Sequence, residues 1–172
     1  SFTFGLGVNA HESWPEVLSK LLGLSVWNLG VPGTSTDTCY RIAKHYIPAL
    51  KPKFVVMLEP RRNRLELLDS THPLPHIVNF AHGFQAKWDD GLYVKKWVTD
   101  QDNMEIHAEK NRAAIAYVCQ QYNIPIVMLE PDAYITMVDQ KQRDLGRDLL
   151  HAGRLNNQAF AEAVAEKVKQ YA

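Results

Sequence analysis

The sequence predicts an α/β domain built on a parallel sheet. Strand-like and helix-like segments alternate along the chain, the order expected of strands joined by helical crossovers. Two strand-like segments, "KFVVMLEP" at 53–60 and "NIPIVMLEP" at 123–131, are near-continuous apolar runs. Such runs suit strands buried on both faces. They share "VMLEP" at 56–60 and 127–131. The repeat predicts two neighbouring parallel strands that end at the same level.

The other elements follow in order. "ESWPEVLSKLLG", 12–23, places Trp14, Val17, Leu18, Leu21 and Leu22 at helical spacing and closes with Gly23 as a C-cap. "LSVWNLG", 24–30, reads as a short strand ending in a turn. "STDTCYRIAKHYIPAL", 35–50, opens with capping chemistry and continues as a helix, with Pro48 and Pro52 marking its end. A helix is expected over about 103–122 and a final one over about 154–171. The last should carry Leu155, Phe160, Val164 and Val168 on one face. Residues 70–100 hold prolines, glycines, three histidines and aromatics without clear period. They are too long for a plain connection and read as an insertion that covers or lines a site, with "LYVKKWV" as a further strand.

Composition bounds the function. At 172 residues the chain is long enough for a single domain with a proper core. Nineteen Lys and Arg balance nineteen Asp and Glu, so no basic surface favours a nucleic-acid partner. No apolar run reaches the ~18 residues of a membrane span. The first residues lack a signal-peptide pattern, so the compartment is left as cytoplasmic by default. Cys39 and Cys119 lie in helix-like stretches without metal or redox spacing, and are expected to be buried free thiols. No cofactor or metal is implied. His72 and His76 are separated by prolines, which prevents a helical ligand pair. His11 reads as a helix-start residue and His107 as a helix-surface one. Trp88, Tyr93 and Trp97 are read as covering the core, with a wall over a pocket as the other possibility.

In parallel sheets ligands sit at the carboxyl ends of the strands, which directs attention to three loops. "NLGVPGTST" leads from the first strand-like segment to a helix start, where backbone N–H groups near Gly33 could bind an anion or an oxyanion. "EPRRNRLE" follows the next strand. Its Asn63 amide could donate to an oxyanion, and Arg61 or Arg62 could clamp an acidic group; a solvated helix start is the plain alternative. Asp148 and His151 come last, spaced as an orienting carboxylate and a base. That spacing alone is common.

The blocks together resemble the SGNH (GDSL-type) hydrolase family. "SFTFGLGV" resembles the segment that follows the family's Gly-Asp before its serine, "NLGVPG" its second block, and "DLLHAGRLNNQAFAE" its last, Asp-x-x-His block. The three matches run in family order along the whole chain. The resemblance implies a three-layer α/β/α sandwich, flavodoxin-like in topology, with a parallel sheet. It implies Ser1 as nucleophile, His151 as general base and Asp148 as its orienting partner. The Ser1 N–H, the Gly33 N–H and the Asn63 amide would form the oxyanion hole. The implied activity is a metal-independent serine esterase acting on a small-molecule ester or a carbohydrate O-acyl group. Two features depart from the family. The Gly-Asp before the serine and the strand ahead of it are absent, so a fragment of a longer chain is expected. The third block reads "LEPRRNRLE" in place of Gly-x-Asn-Asp. A catalytically silent binding domain and an O-acyltransferase therefore stay open as alternatives. Oligomeric state is not legible.

Overall fold

The computed structural model describes residues 1–67, 76–79 and 100–172. In chain order its elements are α1 (Trp14–Leu22), α2 (Thr36–Leu50), β1 (Val55–Leu58), β2 (Arg64–Leu67), β3 (His76–Asn79), α3 (Gln101–Gln121), β4 (Ile126–Leu129), α4 (Ala133–Thr136) and α5 (Arg154–Val168). The chain is of mixed helix and strand, and β1 and β4 form a short parallel pair. Two compact units divide it: residues 1–32, 53–58 and 125–172 make the first, 33–52 and 59–124 the second. The expected insertion falls largely outside the described residues, and with it Trp88, Tyr93, Trp97, His72 and the "LYVKKWV" strand.

In the first unit the repeated pentapeptide sets the sheet register. Val56 lies opposite Val127, Met57 opposite Met128 and Leu58 opposite Leu129, as the shared sequence predicts. The Val55 N–H extends the ladder by donating to the Pro125 carbonyl at 2.8 Å. Helix α1 starts with Pro15 in its first turn, where a missing N–H costs nothing. It stops at Gly23, whose φ of 64° is the left-handed conformation that glycine adopts without strain. Helix α5 buries Phe160, Ala161, Val164 and Val168, an i, i+4, i+8 stripe against α1. Phe160 meets the Trp14 ring edge to face, centroids 5.4 Å apart.

Two expectations fail in this unit. Leu155 is 53% exposed. It precedes Phe160 by five residues, which at 3.6 per turn rotates it about 140° off the buried stripe. Residues 24–30 form no strand among the described residues. Their polar groups are anchored by side chains instead: Asn28 Nδ2 donates to the Thr3 carbonyl at 2.8 Å, and the Gly30 N–H donates to Asn28 Oδ1 at 3.0 Å.

In the second unit α2 packs on α3. Ser35 caps α2, its Oγ accepting the Thr38 N–H. The helix passes through Pro48 and ends at Leu50, with Lys51 in the left-handed region at φ 46°, which matches the expected span 35–50 closed ahead of Pro52. Asp100 caps α3 by accepting the Asn103 N–H at 3.0 Å, and its bounds match the expected helix to within two residues. The polar run after β1 is not a helix start. It leads into β2, which pairs antiparallel with β3, Arg64 opposite Asn79 and Leu67 opposite His76.

Charge is concentrated in this unit. The Glu59 side chain, 2% exposed, receives Arg62 Nε at 3.1 Å and Arg112 Nη1 at 3.0 Å, and both arginines also pair with Glu105. Asp37 takes His107 Nε2 at 2.8 Å, Asn111 Nδ2 at 3.1 Å and the Glu66 N–H at 3.1 Å. His107 is therefore half-buried against α2 rather than on an open helix surface.

Both cysteines are free. Burial, then the carboxylates of Glu59, Asp37 and Glu66, push the Cys39 thiol up to about 12; burial also raises Cys119. At pH 8 only about one Cys39 in ten thousand is then thiolate, the reactive form. Iodoacetamide at that pH is expected to leave both native cysteines unmodified and to label both in guanidinium, read by intact mass. Cys119 is buried as expected and Cys39 is half-buried; labelling of Cys39 in the native protein would contradict its raised thiol.

Candidate active site

Asp148 and His151 sit on a loop that closes on itself. The Gly146 N–H donates to the His151 carbonyl at 2.8 Å and the Leu149 N–H to the Gly146 carbonyl at 3.0 Å; Leu145 and Ala152 form an isolated antiparallel bridge. Within this loop Asp148 has two tasks. Its Oδ1 accepts the N–H groups of Leu150 at 3.1 Å and His151 at 3.0 Å. Its Oδ2 lies 2.6 Å from His151 Nδ1.

These bonds determine the protonation pattern. The backbone N–H of His151, its ring and the Leu150 N–H hold the Asp148 carboxyl at about 2, below its ordinary 3.8. An ionised carboxylate only accepts. His151 Nδ1 is thereby assigned as the N–H donor, and in the neutral ring this places the lone pair on Nε2. The two side chains keep partial contact with solvent, 34% and 23% exposed. Leu149 and Leu150, between them in sequence, are 73% and 80% exposed. Leu149 has φ 57°, a conformation that costs a branched residue roughly 1–2 kcal/mol.

The amino-terminal segment packs on this loop. The Arg147 N–H donates to the Gly7 carbonyl at 2.7 Å. Gly7 has φ 83°, and a Cβ there would stand 2.7 Å from Asp148 Oδ1; a Cβ at Gly146 would stand 2.7 Å from the Gly7 oxygen. Only glycine permits the approach at either position. Ser1 directly precedes Phe2, whose ring stacks on Tyr134 at 3.7 Å and stands edge-on to His151 at 5.7 Å. The Ser1 carbonyl accepts the Gly5 and Leu6 N–H groups at 2.9 and 3.2 Å, curling the segment into a turn.

The supports of the loop come from remote positions that sequence reasoning did not single out. Asp144 accepts the Leu155 and Asn156 N–H groups at 3.1 and 2.9 Å, capping α5 from outside it. Buried Asn157 accepts the Trp14 N–H at 3.0 Å and donates to the Ala152 and Gly153 carbonyls. Arg147 grips Glu12 with two nitrogens, at 2.8 and 3.3 Å. That contact, with the Asn9 N–H, lowers the Glu12 carboxyl to about 2 from 4.5.

A pH dependence follows. Both folded values lie below the ordinary ones, so the two carboxylates support the loop fully above about pH 4.5. That support is lost as pH falls towards 2. Amide exchange at Gly146–His151, measured by NMR at stepped pH, is expected to accelerate across this window. The Glu12→Ala, Asp148→Ala double variant, which removes both acceptors altogether, should show fast exchange already at pH 6.

The remaining expected site residues belong to the second unit. Gly33 has φ 73° and open space where a Cβ would point, as a turn before the α2 cap requires. Asn63 precedes β2, and its Oδ1 is buried with no hydrogen-bond partner among the described residues. Arg61 is exposed. Arg62 differs from expectation: it is held by Glu59 and Glu105, so binding an acidic substrate would compete with a buried ion pair. His11 lies exposed on a short turn at Ala10–Glu12. Among the described residues no group of three His, Cys, Asp or Glu could hold a metal ion, and no helix is long and apolar enough to cross a membrane.

Comparison with family models, curated proteins and solved structures gives no match to the chain.

Proposed function

We propose that the chain is an SGNH-type serine hydrolase acting on esters or O-acyl groups, carbohydrate O-acetyl groups included, within a three-layer α/β/α architecture of that type. The observation that carries the reading is the Asp148–His151 pair, its Nδ1 held at 2.6 Å and its Nε2 left as a base, with Phe2 bringing the Ser1 segment to the same ring. In this mechanism His151 Nε2 takes the Ser1 hydroxyl proton as Oγ attacks the ester carbonyl. The tetrahedral oxyanion is assigned, by the family resemblance, to the Ser1 and Gly33 N–H groups and the Asn63 amide. Collapse expels the alcohol, which leaves with the proton from His151. Water, deprotonated by the same nitrogen, then releases the acid and restores Ser1.

A fluorophosphonate probe tests this directly. The expected result is one adduct on the Ser1 peptide, absent in His151→Ala. Absence of any adduct in the folded parent protein would remove the hydrolase reading and favour a silent binding domain. Transfer of the acyl group to an added sugar or alcohol in preference to water would reassign the chain as an acyltransferase.

A further inference from the structure

A concave surface in the first unit has neither Asp148 nor His151 in its lining. It is a cavity of about 390 Å³ lined by His11, Glu12, Val17, Lys20, Leu21, Arg154 and Gln158. The lining follows helical spacing. Val17, Lys20 and Leu21 are an i, i+3, i+4 set on α1, and Arg154 and Gln158 an i, i+4 pair on α5. His11 and Glu12 close the end. The volume falls in the range of small-molecule sites, roughly 300–1,000 Å³.

Its charge is one-sided. Among the described residues Lys20 makes no ion pair, and its Nζ lies 3.4 Å from the His11 carbonyl. Arg154 makes neither an ion pair nor a side-chain hydrogen bond among the described residues. The single carboxylate of the lining, Glu12, is already neutralised by Arg147 at 2.8 and 3.3 Å. Gln158 is turned to Glu162 at 2.7 Å, outside the lining. The amino-terminal N–H groups of α5 are taken by Asp144, so the attraction comes from the side chains. Val17 and Leu21 are the apolar members of the lining.

We infer that this cavity binds a small amphipathic anion, its carboxylate or phosphate between Lys20 and Arg154 and its apolar part on Val17 and Leu21. An ammonium and a guanidinium converging on one oxyanion group give charge-assisted bonds, and arginine adds a two-pronged geometry. The cavity is open to water, so salt weakens the binding. The inference is independent of the hydrolase reading, since no residue of that mechanism lines the cavity.

The test is an NMR titration of the full chain with hexanoate and, separately, with inorganic phosphate. Saturable amide shifts are expected at Val17, Lys20, Leu21 and Arg154. Hexanoate binding alone assigns a carboxylate with an apolar tail; tighter binding of phosphate assigns a phosphorylated ligand. Lys20→Gln and Arg154→Gln should each weaken binding at least about tenfold, the loss of one charge-assisted contact at roughly 1.4 kcal/mol per decade. Lys167→Gln, an exposed position of α5 outside the cavity, should leave it unchanged. Linear, unsaturated shifts with both anions, or equal shifts in all three variants, would overturn the inference.

Discussion

Asp148→Asn is expected to slow fluorophosphonate labelling of Ser1 by about four orders of magnitude, the cost of a wrong histidine tautomer in a serine triad. The asparagine keeps an oxygen for the N–H groups of Leu150 and His151, so the loop should survive. The change falls on the other atom. An amide nitrogen placed 2.6 Å from Nδ1 donates where the carboxylate accepted. The ring then holds its proton on Nε2 and has no lone pair to offer Ser1. His151→Ala should cause a loss of the same size, and the double variant little more, because the two groups act as one unit. Equal labelling of Asp148→Asn and parent protein, both folded by circular dichroism, would show that Ser1 reacts without this pair.

The sheet pairing could be read in the sequence because the two strands repeat the same Val-Met-Leu run, and Val56 duly faces Val127. The cap at Ser35 and the Phe160, Val164 and Val168 stripe of α5 were legible for the same reason, being set by neighbours within a few turns. Asp148 and His151 were also legible, since three residues of chain suffice to join them. What holds them was not. Asn157 reaches Trp14 across 143 positions and Arg147 reaches Glu12 across 135; no periodicity encodes such partners. Gly7 and Gly146 gave a faint signal as glycines, yet the contact that requires them appears only when the two segments meet. The polar run 61–64 misled because strand β2 is held at its edge by side chains: Arg41 and Asp37 engage Glu66, and Arg64 reaches the Thr34 carbonyl. Arg62 looked like a substrate clamp because its carboxylate partners, Glu59 and Glu105, are three residues away in one case and 43 in the other.

Phe160→Ala should lower stability by about 3–5 kcal/mol, the usual cost of emptying a buried phenylalanine site. Phe160 is 1% exposed, and its neighbours are Trp14 and the Ala161, Val164 and Val168 stripe. The backbone N–H of Trp14 is fixed to Asn157 at 3.0 Å, so the main chain at the start of α1 cannot settle freely into the space. Phe160→Leu keeps most of the volume and should cost less. The consequence for the site separates packing from chemistry. Asn157 ties α5 to the carbonyls that end the His151 loop, so loosening α5 loosens the loop only through unfolding. Labelling of Ser1 in Phe160→Ala should fall with the unfolded fraction in urea and return to the parent rate where the variant is folded. Asp148→Asn should do the reverse, leaving the urea midpoint nearly in place while labelling collapses. A permanent loss of labelling in folded Phe160→Ala would mean that the core sets the geometry of the pair directly, beyond holding the helix on which its loop ends.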